Sequence, residues 1–347
     1  MNIASPLSDP KLEAALLGVR SIINIQFLRL QEAVTDQKLL SNQLDRSGVP
    51  PWQFVLQLLI LHQELFYLGH PQEALRIADK LEPMAMKIGQ SLSLAFCHST
   101  RAWIDFGKAA DLAKLESGFH GVRKSDREAA FVHLEVFFDV QVSLLDFFRG
   151  NWTSALVHVQ EPRRRESGSS MEGFGLGTIF RQMAYAGDRD SALAILDENR
   201  ALLPRTGQTN TAGSWFMLAL VIEGLVMLRE QSQAKKLYPL VDGLLDTGAV
   251  VLWPISRFTH TIAGVAAAAA HEWEAAEGHF PIAMKQSESF PNRLEQAEIR
   301  RLHAMMLLDR AGPGDRNRAQ TLLNQALETY TLIGMPRHLE ITQALIG

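Results

Sequence analysis

Residues 314–338, GDRNRAQTLLNQALETYTLIGMPRH, decide the fold. Gly314 marks a turn, Ala319 follows five residues later, and Leu323 and Ala326 extend one apolar face at spacings of four and three. That period is α-helical. Gly334-Met335-Pro336 then ends the run, because glycine lets the backbone turn and proline cannot continue the helical hydrogen-bond ladder. The stretch is the second helix of a helix–turn–helix unit.

Upstream, the same arrangement recurs. Gly69 precedes Ala74, Gly150 precedes Ala155 and Gly187 precedes Ala192, each by five residues, and Ala234, Ala276 and Ala319 continue the set. The intervals from Ala74 onward are 81, 37, 42, 42 and 43 residues. The first is twice a unit near 40, so a degenerate copy is expected midway, at Ala113; Ala33 marks a further copy near the start. A small residue at this phase lets the second helix cross close to the first. Each pair leaves an apolar face open, so the pairs must stack.

First helices are expected over Phe54–Leu68, Leu92–Phe106, Ala129–Phe148, Phe174–Ala186, Ala212–Leu228, Arg257–Ala270 and Arg293–Leu308. Second helices should start near Pro71, Ala109, Trp152, Arg189, Gln231, Glu272 and Asp315. The polar, glycine-bearing stretches Glu161–Gly177 and Leu203–Gly213 read as inter-repeat loops. β-Branched residues rarely alternate with polar ones, so strands are not expected. The fold class is all-α: an α-solenoid of about seven helix pairs with a period near 40. Residues 1–50 form N-terminal helices as a degenerate or capping repeat, 51–338 the array and 339–347 a C-terminal cap.

Composition narrows the function. Apolar residues make up 47% of the 347, enough for a large core. The 34 Lys and Arg nearly balance 38 Asp and Glu, a net charge of −4, without the basic face that nucleic-acid binding requires. A single cysteine, Cys97, rules out an internal disulfide and a multi-cysteine zinc site. The N-terminal stretch lacks a basic region followed by an apolar run, and no apolar window is long enough to span a bilayer. A cytoplasmic protein without membrane contact is expected.

The tail RAQTLLNQALETYTLIGMPRH resembles the end of the tetratricopeptide-repeat (TPR) region of bacterial signalling proteins, namely multidomain adenylate/guanylate cyclases with an ATPase module and LuxR-type ATPase regulators. Residues 65–104, LFYLGHPQEALRIADKLEPMAMKIGQSLSLAFCHSTRAWI, look like an early repeat of that region. Leu68, Gly69, Pro71, Ala74, Leu75, Gly89, Ser93, Leu94 and Ala95 carry the likeness. The resemblance spans the chain from roughly Phe54 onward, with units longer than the 34 residues of the basic repeat. It implies a sensory or partner-binding array whose first helices line a concave face. In such proteins the chemistry belongs to cyclase and ATPase domains. This chain has no phosphate loop: Gly107-Lys108-Ala109 lacks the upstream glycine and the hydroxyl residue.

Candidate chemistry is sparse. His271-Glu272-Trp273-Glu274 lacks the second histidine of a zinc-protease helix, since residue 275 is alanine. Cys97 and His98 are helical neighbours about 100° apart and do not face each other; Cys97 reads as a small buried apolar residue. Gly173-Phe174-Gly175-Leu176-Gly177 lacks the strand and the spacing of a dinucleotide loop. Arg163-Arg164-Arg165 could meet an anionic partner, but Glu161 and Glu166 flank it, so it reads as a solvated loop. His133, Asp139 and Asp146 lack a second ligand cluster. No catalytic residue, metal or cofactor is expected.

Binding offers more. Eighteen residues before the aligned alanines stand Phe137, Phe174, Phe216 and Phe258, an aromatic ladder or else the inter-repeat core. Two helical turns on stand Leu144, Arg181, Glu223 and Val265, with Gln63 in an earlier copy. A charge on an apolar helix face must find water or a partner. Gln63, Phe137, Phe174, Arg181, Phe216, Glu223 and Phe258 are thus the candidate groove residues of a non-enzymatic scaffold. It would grip a protein or peptide partner, such as a cyclase or ATPase regulatory domain, in bacterial signalling or transcriptional regulation. The alternative is a helical receptor enclosing a small-molecule effector in an aromatic pocket around Trp215 or Trp253; Trp103 invites the same question. A third class is a dimerisation module, which an uncapped apolar face at either end would support.

Overall fold

Amphipathic helices that each leave a face open stack in pairs, and the computed structural model shows eight such pairs among the described residues. It describes residues 10–47, 50–129, 135–160, 167–253 and 255–346. The pairs are α1 (Pro10–Gln26) with α2 (Leu30–Ser47), α3 (Pro51–Tyr67) with α4 (Pro71–Ile88), α5 (Ser91–Ala109) with α6 (Leu112–Ala129), and α7 (Glu135–Phe148) with α8 (Trp152–Gln160). Then follow α9 (Phe174–Ala186) with α10 (Arg189–Asn199), and α11 (Ala212–Met227) with α12 (Gln231–Leu237). After a short α13 (Val241–Asp246) comes a small hairpin of β1 (Val251–Leu252) and β2 (Arg257–Phe258). The last pairs are α14 (Thr259–Ala269) with α15 (Trp273–Ser289) and α16 (Arg293–Arg310) with α17 (Asp315–Ile333), before α18 (Pro336–Gln343).

Each pair turns through one residue with a left-handed backbone. These are Leu28, Gly69, Ala110, Gly150, Gly187, Arg229, His271 and Ala311, with φ between 50° and 82°. Only three of the eight are glycine, the residue that adopts this conformation without steric cost, so glycine reveals fewer than half of the units. The aligned small residues Ala33, Ala74, Ala155, Ala192, Ala234, Ala276 and Ala319 are all fully buried. The degenerate copy corrects the expectation: Ala113 faces solvent, and Leu115, two residues on, occupies the buried phase. Close approach in that pair passes to Gly118, where a Cβ would lie 2.3 Å from the Cβ of Ala102.

Several helix boundaries also differ from expectation: α3 starts at Pro51 and not Phe54, and the second helix expected near Ala109 starts at Leu112, Ala109 belonging to α5. The helix expected from Arg257 starts at Thr259, because Arg257 and Phe258 pair as a strand with Leu252 and Val251. The helix expected from Ala129 starts its described part at Glu135, and Ala129 belongs to α6.

The array folds back on itself. Val250 N–H donates to the Tyr67 carbonyl across 2.8 Å, joining the segment before β1 to the end of α3. The α15–α16 turn meets α5, where a Cβ on Gly107 would stand 2.4 Å from the Pro291 carbonyl oxygen. The C-terminal α18 meets the α7–α8 pair: the Arg337 guanidinium lies over the Trp152 ring at 5.7 Å, and the His338 ring meets that of Phe147 at 5.2 Å. One hydrophobic core accordingly runs from Ile25 to Met335, and a small second cluster of Ala14, Leu17 and Leu40 sits between α1 and α2.

Candidate functional site

First helices of successive pairs wall a cavity of about 540 Å³. Ile22 and Ile25 of α1, Leu56, Leu59, Ile60 and Tyr67 of α3, Leu92 and Phe96 of α5 and Phe137 of α7 supply apolar surface. Gln26 and Gln63 add carboxamides. The loop at residues 168–171 closes one side with Ser169, Ser170 and Met171, next to Ala212 at the start of α11. That loop is pinned by the Gly213 N–H, which donates to the Ser170 carbonyl at 2.8 Å.

The cavity's aromatic wall is braced from behind by the hairpin. The Trp253 ring packs against Phe66, Phe96 and Phe137 with centroids 4.7, 5.4 and 5.1 Å away, and only 1% of the residue is exposed. Tyr67 donates its hydroxyl to the Trp253 carbonyl at 3.2 Å. His62 ties the same wall together. Its Nδ1 lies 3.0 Å from the Ala74 carbonyl, which can only accept, so Nδ1 carries the proton and Nε2 accepts from the Thr100 hydroxyl at 2.8 Å. Burial holds its pKa down at about 4 and the ring stays neutral.

Beyond the hairpin lies a buried charge cluster. The Arg257 guanidinium grips both oxygens of Glu223 at 2.8 and 2.9 Å and donates to Glu295 and Glu298 at 2.7 Å each. Arg301 donates to Glu298 and to the Tyr185 hydroxyl, at 2.7 and 2.6 Å. Tyr330 donates to the other oxygen of Glu298 at 2.5 Å, and Thr261 to Glu295 at 2.6 Å. Arg181 stands 3.8 Å from Glu223 and over the Phe147 ring at 5.3 Å. Three arginines thus face three glutamates in the interior. Burial alone would push the Glu223 carboxyl up, but Arg257 and Arg181 outweigh it and hold the pKa at about 2; Arg301 and Arg257 likewise keep Glu298 well below the usual range. Glu295 is pushed up to about 7, as burial there exceeds the pull of Arg257. Every oxygen of the three carboxylates is engaged by a donor, so the cluster is a clamp and presents no free base to a substrate.

The seven candidate groove residues separate into two groups. Gln63 and Phe137 line the cavity. Phe174, Phe216 and Phe258 are fully buried; Phe174 meets Phe216 at 4.9 Å and Phe258 meets Phe290 at 6.0 Å, so these three form inter-repeat core. Arg181 and Glu223 are also sealed, at 1% and 0% exposure, and they face each other and Arg257. Their charges find an internal partner in place of an open groove. Periodicity had no means of showing Arg257, because it lies in the hairpin outside the repeat phase. The same holds for Ser169 and Ser170, which come from a loop.

Other sequence candidates fall to packing. Trp103 and Trp253 are core, and Trp215 is 8% exposed. Burial pushes the Cys97 thiol up to about 12, and the neighbouring His98 turns to Glu82 at 3.5 Å. Gly173, at φ 99°, precedes α9 and packs on Met217. Arg163, Arg164, Arg165 and His133 lie outside the described residues. Among the described residues no group of three or more His, Cys, Asp or Glu is placed to hold a metal, and no helix is long and apolar enough to cross a membrane.

Stacked helix pairs with an inner-face cavity define a TPR-like α-helical repeat protein. No known protein-family description matches the sequence, and no curated protein matches it. Among solved structures it is similar to a Rap protein complexed with competence and sporulation factor, with a TM-score of 0.52 over 97% of both chains. At 9% sequence identity the likeness is one of fold.

Proposed function

We propose that this chain is a non-enzymatic scaffold or sensor module that holds a segment of a peptide or protein partner in the inner-face cavity. The cavity itself carries the reading. Its aliphatic and aromatic wall takes apolar side chains, while Gln26, Gln63, Ser169 and Ser170 supply donors and acceptors suited to an extended backbone. The Rap protein, held in its structure with competence and sporulation factor, supports this by fold analogy. A setting in bacterial cytoplasmic signalling, with a cyclase or ATPase regulatory domain as partner, rests on the sequence resemblance of the repeats.

A small-molecule effector is the second reading, favoured by the cavity volume, which falls within the roughly 300–1,000 Å³ of ligand pockets. Selection from a random peptide display library tests the first. Replacing partly buried Ser169 by Trp fills the cavity from its loop side. Selected peptides should lose at least about tenfold in affinity, roughly 1.4 kcal/mol, with the melting temperature unchanged. Peptides that bind the filled variant equally well would place the site elsewhere. Failure to select any peptide, with an apolar small molecule displaced by Ser169→Trp, would favour the second reading.

A further inference from the structure

The first helix has two apolar faces. Ala14, Leu17 and Ile25 turn inward and are buried. Leu12, Leu16, Val19 and Ile23 turn outward and remain 47%, 43%, 53% and 41% exposed. Their spacing of four, three and four residues is that of a coiled-coil seam. A helix face left to solvent is ordinarily polar, and the outer face of α1 is not.

We propose that α1 pairs with α1 of a second copy of this chain, antiparallel about a two-fold axis through the middle of the seam. The spacing reads the same from either end, so the layers match on reversal. Leu12 of one copy packs on Ile23 of the other, and Leu16 on Val19. Such self-complementarity is what an isologous contact requires. The flanking charges select the same orientation. Glu13 and the 64%-exposed Arg20 side chain lie on one flank of the seam, one heptad apart. The two-fold sets Glu13 of each copy on the same side as Arg20 of the other, whereas a parallel pair leaves both charges without an opposite. Arg20 keeps its 2.8 Å pairing with Asp36 through the same guanidinium. A seam of four residues is smaller than the roughly 800 Å² per partner of a standard interface, so the dimer forms in a concentration-dependent way. The inference is independent of what fills the cavity.

Sedimentation equilibrium of the full chain over a micromolar series tests it. The mass should climb from 38.7 kDa toward twice that value and stay at 38.7 kDa in the exposed-site variants Leu16→Glu and Val19→Glu. Cysteine cross-linking tests the orientation, since Cys97 is fully buried and does not compete. In an oxidised mixture of Leu16→Cys and Val19→Cys chains, the mixed disulfide should exceed its statistical share. A mass of 38.7 kDa at every concentration, or a preference for like-with-like disulfides, overturns the proposal.

Discussion

Arg257 is the residue on which the interior charge balance turns. It contacts Glu223, Glu295 and Glu298 at once, and none of these has water to fall back on. Arg257→Leu should cost about 3–5 kcal/mol, because breaking a buried ion pair strands the remaining charge. Urea denaturation of the variant checks this, and a loss below about 1 kcal/mol would show that the cluster relaxes to another pairing. Glu64 behaves differently. Ser21 donates to one of its oxygens at 2.8 Å, the other has no hydrogen-bond partner, and the residue is fully buried between α1 and α3. Burial pushes its pKa up from 4.5 to about 8, with Ser21 opposing and Asp36 assisting. The folded state therefore holds the proton more tightly than the unfolded chain. Its contribution is complete below pH 4.5 and is lost as pH rises through about 8. Glu295 and His62 titrate in the same window, so the unfolding free energy of Glu64→Gln is subtracted from that of the parent chain at each pH. That difference should fall with a slope approaching about 1.4 kcal/mol per pH unit across the window; a difference that does not change with pH would assign the raised pKa to another group.

At the scale of the helix pair, the turn residue sets the geometry. Ala311 and His271 adopt φ of 52° and 65°, where a side chain is strained. Ala311→Gly or His271→Gly should stabilise the protein by roughly 0.5–1 kcal/mol, and Gly187→Ala should destabilise it by a similar amount. Shifts in the denaturation midpoint report both. These turns also explain what the sequence made legible. Period and phase followed from Ala74, Ala155, Ala192, Ala234, Ala276 and Ala319, since close helix crossing demands a small residue. In the third pair the helices were legible and only the marker was misplaced: Leu115 holds the buried phase there and Gly118 supplies the close approach, whereas spacing pointed to the exposed Ala113. The hairpin escaped because strands of two residues carry no alternating pattern.

Across the whole molecule, the array closes through contacts between distant pairs, which repeat reasoning does not address. Arg181 and Glu223 were legible as charges needing a partner, but the partner was placed in an open groove. Only the return of the chain through the hairpin brings Arg257 to them. Gln63 and Phe137, read from the sequence as residues of an open groove, line the cavity because they lie on first helices that wall it. The closure itself can be probed at Gly107, whose missing Cβ admits the Pro291 carbonyl. Gly107→Val should push α5 from the α15–α16 turn and cost about 1–3 kcal/mol as an overpacked contact. Hydrogen exchange should then quicken in both segments together; a change confined to α5 would show that the contact carries no coupling.

The clasp of Trp253 and Arg257 gives the protein an unusual mechanical character. A solenoid whose units touch only their neighbours stretches like a spring, one turn after another. Here one strap joins α3, α5 and α7 to α11 and α16. The turns between α3 and α16 can open only once that strap lets go, so this part of the molecule should resist extension as a buckle does, stiff until it releases.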